Sequence, residues 1–98
     1  MKFDVGDFVL VVSDKECGGL CFTDEMYKFI GNPCKISYVS AIGTELIYER
    51  YRLTPIGWEF KSEHDYFFCH LNLLKINESQ TKGKKLEQLR ENIWICNI

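Results

Sequence analysis

The run Phe8-Val9-Leu10-Val11-Val12 constrains this 98-residue chain more than any other segment. It is built from β-branched and aromatic residues, follows a turn at Val5-Gly6-Asp7, and ends at Ser13-Asp14. Strand side chains alternate between faces, so Phe8, Leu10 and Val12 share one side and Val9 and Val11 the other. Both sets are apolar. A strand buried on both faces suits a curled sheet or small barrel, one side of which is covered by a loop.

The elements that follow are short. Gly18-Gly19 marks a loop, and Phe22 to Gly31 reads as a brief helix. Thr23 stands where a cap accepts a bond from a free backbone N–H, and Asp24 and Glu25 sit at the positive end of the helix dipole. Phe22 and Tyr27 have the spacing of a hydrophobic staple, Gly31 supplies a left-handed stop, and Pro33 prevents continuation. Cys34 to Val39 predicts a second strand, with Ala41-Ile42-Gly43-Thr44 as its turn. Glu45 to Leu53 predicts a third, with Tyr51 and Leu53 on one face. After a turn at Pro55-Ile56-Gly57, Trp58-Glu59-Phe60 reads as a short fourth strand with both rings pointing the same way. Ser62 to Asp65 forms a polar loop tip, Tyr66 to His70 is apolar without a clear assignment, and Leu71 to Ile76 supplies a closing strand.

The last segment differs in kind. Asn77 to Lys85 is polar, after which Leu86, Leu89 and Ile93 recur at the spacing of one helical face. Glu87, Arg90 and Glu91 lie elsewhere on the wheel. A helix of about a dozen residues is marginal alone, so this face must dock, on its own barrel or on a partner or second copy. The apolar end Trp94-Ile95-Cys96-Asn97-Ile98 adds to the case for a partner. The element order predicts a mainly β fold: a small, partly open barrel of about five strands and one short helix over residues 1–76. A linker and an amphipathic helix or arm follow over residues 77–98.

Taken in order, Val5-Gly6-Asp7-x-Val9-x-Val11, Phe22-x-x-x-Met26, Gly31, Ile36, Val39, Tyr51-x-Leu53 and Trp58 resemble small SH3-like barrel domains. The resemblance is to forms in short bacteriophage and Gram-positive bacterial proteins; mind-bomb-type SH3 repeats share the Gly-Asp opening and the late tryptophan. It covers residues 3–76 and implies an SH3-like fold with a binding habit and no catalytic residues to carry over. Fold alone does not settle function.

Charge narrows the partners. Residues 1–76 carry 8 basic and 11 acidic groups, and residues 77–98 carry 4 and 3. A duplex phosphate backbone repels that balance unless a local patch overrides it. The cluster Lys82, Lys84 and Lys85 would supply the charge in a second reading, a nucleic-acid-binding SH3-like domain. The amino terminus lacks a signal-peptide pattern and no apolar run is long enough to span a bilayer, so the expected location is a cytoplasm, the host's if the chain is phage-encoded. In that compartment the five cysteines are expected as free thiols. A third reading is a zinc protein, with Cys17 and Cys21 completed by Cys34, His64, Cys69 or His70; the loose spacing argues against it, and no cofactor is expected. No nucleophile motif is present, so the chain is expected to be no enzyme.

The leading expectation is a non-enzymatic protein-binding module. Among Tyr27, Tyr38, Tyr48, Tyr51, Trp58, Tyr66 and Phe67, the surface candidates are Tyr48 and Tyr66, while Trp58 and Phe60 are expected in the core. Asp14, Glu16, Asp24 and Glu25 form an acidic rim that could meet a basic surface. For a phage-like domain this suggests an inhibitor of a host defence nuclease, as anti-CRISPR proteins are. The expected contact residues are Asp24, Glu25, Tyr48 and Tyr66, with Leu89, Ile93 and Trp94 in the tail, which would also serve a homodimer through the C-terminal arm.

Overall fold

The computed structural model describes residues 2–16, 20–42 and 48–96, with the side chains at 41, 42, 48 and 94–96 outside that description. Five antiparallel strands form one sheet: β1 (Phe8–Val11), β2 (Pro33–Ile42), β3 (Tyr48–Pro55), β4 (Phe68–Cys69) and β5 (Leu73–Ile76). Their spatial order is β4-β3-β2-β1-β5, so the first strand lies between the second and the last. The sheet curls without closing into a barrel, and β4 and β5 are its two edges.

The first strand behaves as its composition dictates. Val9, Leu10 and Val11 are wholly buried, and the two faces of β1 feed two separate clusters. On the inner face Val9 and Val11 join Cys34, Ile36, Tyr51, Phe68 and Leu73 under a six-residue 3₁₀ helix, Asp24–Phe29, whose Met26 and Phe29 are buried. On the outer face Leu10 and Ile76 meet Leu86, with Phe8, Val12, Leu89 and Ile93 packed around them. The outer cover over β1 and β5 is therefore α1 (Gly83–Cys96) and not a loop. A 14-residue helix is held by such tertiary packing more than by its own propensity.

The helical segment before β2 follows its signals closely. Thr23 is the N-cap, but its carbonyl accepts the Met26 N–H at 3.0 Å, the i to i+3 closure that makes the helix 3₁₀. Phe22 and Tyr27 meet edge to face at 4.9 Å, as their staple spacing requires. Gly31 takes φ +80, where only glycine is unstrained, and its N–H returns to the Val11 carbonyl at 2.8 Å.

Two expectations are corrected. Trp58-Glu59-Phe60 is not a strand; the fourth strand is Phe68–Cys69, in the segment that carried no clear assignment. Both rings do point the same way, onto Phe29, at 5.0 Å and 4.5 Å between centroids. Large rings satisfied by packing against the core need no ladder bonds to hold them, and the Trp58 Nε1–H instead donates to the Pro33 carbonyl at 2.7 Å. The second correction concerns the thiols. Cys69 is disulfide-bonded, whereas Cys21 and Cys34 are free. The second strand also runs further than expected, through Ile42, and the third begins at Tyr48. Gly43 and Thr44 of the expected turn, and Glu45 to Ile47 of the expected third strand, lie outside the described residues.

Candidate functional site

The segment between β3 and β4 builds a concavity with β3. Beyond Pro55 the chain turns at Gly57, whose φ of +76 excludes other residues without strain although space is open around it. Trp58 and Phe60 then anchor on Phe29, and Tyr66 packs edge to face on Phe60 at 6.0 Å. The two-residue β4 pairs only with Arg50 and Tyr51. Along Leu53 to Pro55 the returning segment stands away from β3, leaving a groove of about 320 Å³. Buried Phe29 and Phe68 line its deep end, with Leu53, Pro55 and Phe60 beside them. Arg52, Ser62, His64, Asp65 and Tyr66 form the polar rim. Pockets that bind small groups combine apolar walls with a few placed polar atoms in this way.

Hydrogen bonds across long sequence separations fix that rim. The Ser62 hydroxyl donates to Glu25 Oε2 at 2.7 Å, and the Tyr66 hydroxyl donates to the same oxygen. Two expected contact residues, Glu25 and Tyr66, are thus brought together and tie the loop to the 3₁₀ helix. The Tyr66 hydroxyl first, and Ser62 second, hold the Glu25 carboxyl below its ordinary value. On the opposite wall Arg52 Nη2 meets Asp65 at 3.0 Å, with their side chains 42% and 72% exposed. Exposed pairs of this kind contribute at most about 1 kcal/mol.

One residue of the groove, Arg52, also belongs to the outer sheet face. A bulge in the β2–β3 ladder at Ser37 shifts the register, so Tyr38 lies opposite Arg52, and Ser40 opposite Arg50. Alternation about buried Tyr51 then sends Arg50 and Arg52 to the face away from the core. Arg52 Cζ lies 5.6 Å from the Tyr38 ring centre and 5.0 Å from that of Phe67, and Arg50 Cζ lies 5.8 Å from Phe67. Both Nε atoms are buried with no hydrogen-bond partner, and Tyr38 is 48% exposed.

The other expected site residues are scattered. Asp24 is exposed at the start of the 3₁₀ helix. Tyr48 begins β3, and its side chain lies outside the described residues. Leu89 and Ile93 pack on the chain's own Leu10 cluster, and Trp94 belongs to α1 with its side chain outside the described residues. Within the acidic rim Asp14 already accepts the Tyr27 hydroxyl at 2.8 Å, as Glu25 accepts Ser62 and Tyr66. Among the cysteines, burial pushes the Cys34 thiol up to about 12, which keeps it protonated and a poor metal ligand. No group of three potential ligands converges among the described residues. No helix among the described residues is long and apolar enough to cross a membrane.

Arg50 and Arg52 are the residues that the sequence reading passed over. Their signal was present: Arg50-Tyr51-Arg52-Leu53 alternates charge with core residues, which places both guanidinium groups on one face.

No family model matches the chain, and neither the curated proteins nor the solved structures yield a match.

Proposed function

We propose that this chain is a non-enzymatic protein-binding module of SH3-like type that takes an extended segment of a partner in the groove beside β3. The observation that carries the reading is the groove itself. Phe29, Phe60 and Phe68 offer apolar contact, and Arg52, Ser62, His64 and Tyr66 surround them with polar groups. The ends of the loop are tied down by the Glu25 bonds and by the Trp58 bond to Pro33, so little order has to be imposed on binding. The sheet order, with β1 between β2 and β5, supports the SH3-like reading.

A display selection of short peptides, followed by amide chemical-shift mapping with the selected sequences, tests this. The reading requires perturbations concentrated at residues 52–55 and 58–68, and their loss when Ser62→Trp fills the groove. Perturbations confined to α1 or to the β5 edge would remove it.

A further inference from the structure

The uncovered sheet face beside the groove carries more chemistry than packing requires. Helix α1 covers β1 and β5 through Leu86, Leu89 and Ile93, while on the β2–β3 half of that face Tyr38 is 48% exposed. There Arg50 and Arg52 stand at alternate positions of one strand, braced against Phe67 and Tyr38. We infer that Arg50 and Arg52 receive two carboxylates of an acidic, extended protein segment, so that the partner bound in the groove carries Asp or Glu at alternate positions. This inference rests on the protein-binding reading and names the chemistry of the partner.

Three observations lead there. The first is spacing. Alternate residues of a strand repeat at about 6.7 Å, and an extended partner strand presents its own alternate side chains at the same interval. Two guanidinium groups on β3 therefore match carboxylates in an acid-x-acid pattern.

The second is preorganisation. Rings within 6 Å hold each guanidinium, and each Nε is shielded and without a partner, so the terminal Nη groups remain as the hydrogen-bonding ends. A planar fork already fixed in place loses less entropy on pairing with a carboxylate than a free side chain would.

The third is a carboxylate already present. Asp65 meets Arg52 at 3.0 Å from a loop tip where it is itself 72% exposed. That pair shows which functional group the face accepts. Arg50 has no ion-pair partner among the described residues, so the second position stands ready for an acid supplied from outside.

An anionic nucleic acid offers negative charge at a similar interval, but the chain disfavours it. The net charge is −2, and the face brings two arginines, one of them already facing Asp65. The counterion release that drives nucleic-acid binding scales with the number of phosphates neutralised, and two guanidinium groups neutralise few.

Fluorescence anisotropy with the full chain and three labelled probes tests the inference. These are an alternating Glu-Val peptide, its Gln-Val counterpart, and an oligothymidylate of equal length. The Glu-Val peptide should bind about tenfold or more tighter than Gln-Val, since charge-assisted bidentate bonds are the strong ones. Arg50→Gln and Arg52→Gln should each erase most of that preference, and Asp65→Asn should strengthen Glu-Val binding. Arg50→Lys and Arg52→Lys keep the charge and the stem over the ring but lose the fork. They should fall between wild type and the Gln variants, which separates loss of pairing from loss of packing. Equal affinity for Glu-Val and Gln-Val, a preference indifferent to all four arginine substitutions, or tighter binding of oligothymidylate would each overturn it. If display-selected peptides occupy the groove while arginine substitutions leave their affinity unchanged, the groove reading stands and the acidic partner falls. If Glu-Val binds through the arginines while Ser62→Trp has no effect, the groove reading falls instead.

Discussion

Asn72 Nδ2 donates to the Lys15 carbonyl at 2.8 Å, linking the 3₁₀ turn before β5 to the segment that leaves β1. The same nitrogen reaches the Ser13 carbonyl at 3.1 Å, and Asn72 Oδ1 accepts the Cys69 N–H at 2.9 Å. At 2% exposure this side chain serves three backbone groups, the buried Cys69 N–H and the part-buried carbonyls of Ser13 and Lys15. It is the polar joint at which the two edges of the sheet come nearest in sequence, since β4 ends at Cys69 and β5 begins at Leu73.

Replacing Asn72 by Ala should therefore be among the costlier single changes to this fold. The buried Cys69 N–H and the part-buried Ser13 and Lys15 carbonyls lose their partner, which should cost about 2–3 kcal/mol, given the penalty for an unsatisfied buried polar group. In a domain of this size that lowers the thermal midpoint by on the order of 15 °C. Ser13→Ala makes the comparison, because its hydroxyl bond to Leu71 at 2.7 Å lies at the surface. Its effect should stay within about 0.5 kcal/mol. Thermal unfolding followed by circular dichroism decides between them, and equal midpoints would remove Asn72 from this role.

The joint between Glu25 and Tyr66 should show itself in pH dependence. Hydrogen bonds from Tyr66 and Ser62 depress the folded-state titration of Glu25 below its ordinary 4.5. A depressed carboxylate stabilises the folded form at pH values above its unfolded titration, and that contribution disappears as pH falls through the folded one. Tyr66→Phe should bring the Glu25 titration back up toward 4.5, and Ser62→Ala should do so to a lesser degree. Carboxyl-carbon NMR titration of both variants reads this directly. An unchanged Glu25 titration in Tyr66→Phe would show that the loop is held by the rings on Phe29 alone.

How much of this was legible in advance varies with the range of the interaction. Strand β1, the staple between Phe22 and Tyr27 and the stop at Gly31 depend on contacts a few residues apart or on burial written into one segment, and the sequence reading placed them correctly. That α1 must dock was legible too, because Leu86, Leu89 and Ile93 define a face that must find cover, but that the cover is the chain's own Leu10 and Ile76 was not. Trp58 and Phe60 look like a strand in sequence, but their rings are claimed by Phe29 from about thirty residues upstream. The bulge at Ser37 hid the outer face in the same way. Simple alternation from Ile36 would send Tyr38 into the core, and only the ladder with β3 shows that Val39 goes inward. Glu25 was named for its place at a helix start; its meeting with Tyr66, 41 residues later, belongs to the tertiary fold.

Cys21 and Cys34, the free cysteines among the described residues, should separate cleanly by reactivity. Cys21 is exposed, while Cys34 is wholly buried in the inner core with its thiol pushed up to about 12 by desolvation. Only the thiolate attacks an alkylating agent, so Cys34 is blocked both by access and by protonation at neutral pH. Iodoacetamide followed by peptide mass mapping should label Cys21 in the native protein and Cys34 only with denaturant. Labelling of Cys34 at the rate of Cys21 under native conditions would mean that the inner core opens locally.

The helix α1 should prove to be part of the domain's own core. Leu86 is 8% exposed against Leu10 and Ile76, and Arg90 fastens the next turn by donating from Nε to the Gly31 carbonyl at 2.6 Å. Its Nη2 also donates to Asn32 Oδ1 at 3.0 Å, so the helix is tied to the turn that feeds β2. Leu86→Ala should cost about 2–3 kcal/mol, the lower part of the range for buried leucine because the site lies near the edge of the sheet. A chain ending at Ile76 should do worse, since it bares Phe8, Leu10, Val12 and Ile76 together on one face. An apolar patch of that kind favours self-association, so the shortened chain should elute as a dimer or larger species, or precipitate. Light scattering coupled to size exclusion, with unfolding of both variants in urea, makes the comparison. A shortened chain that stays monomeric with an unchanged urea midpoint would show that the outer face of β1 needs no cover and would release Leu89 and Ile93 for a partner.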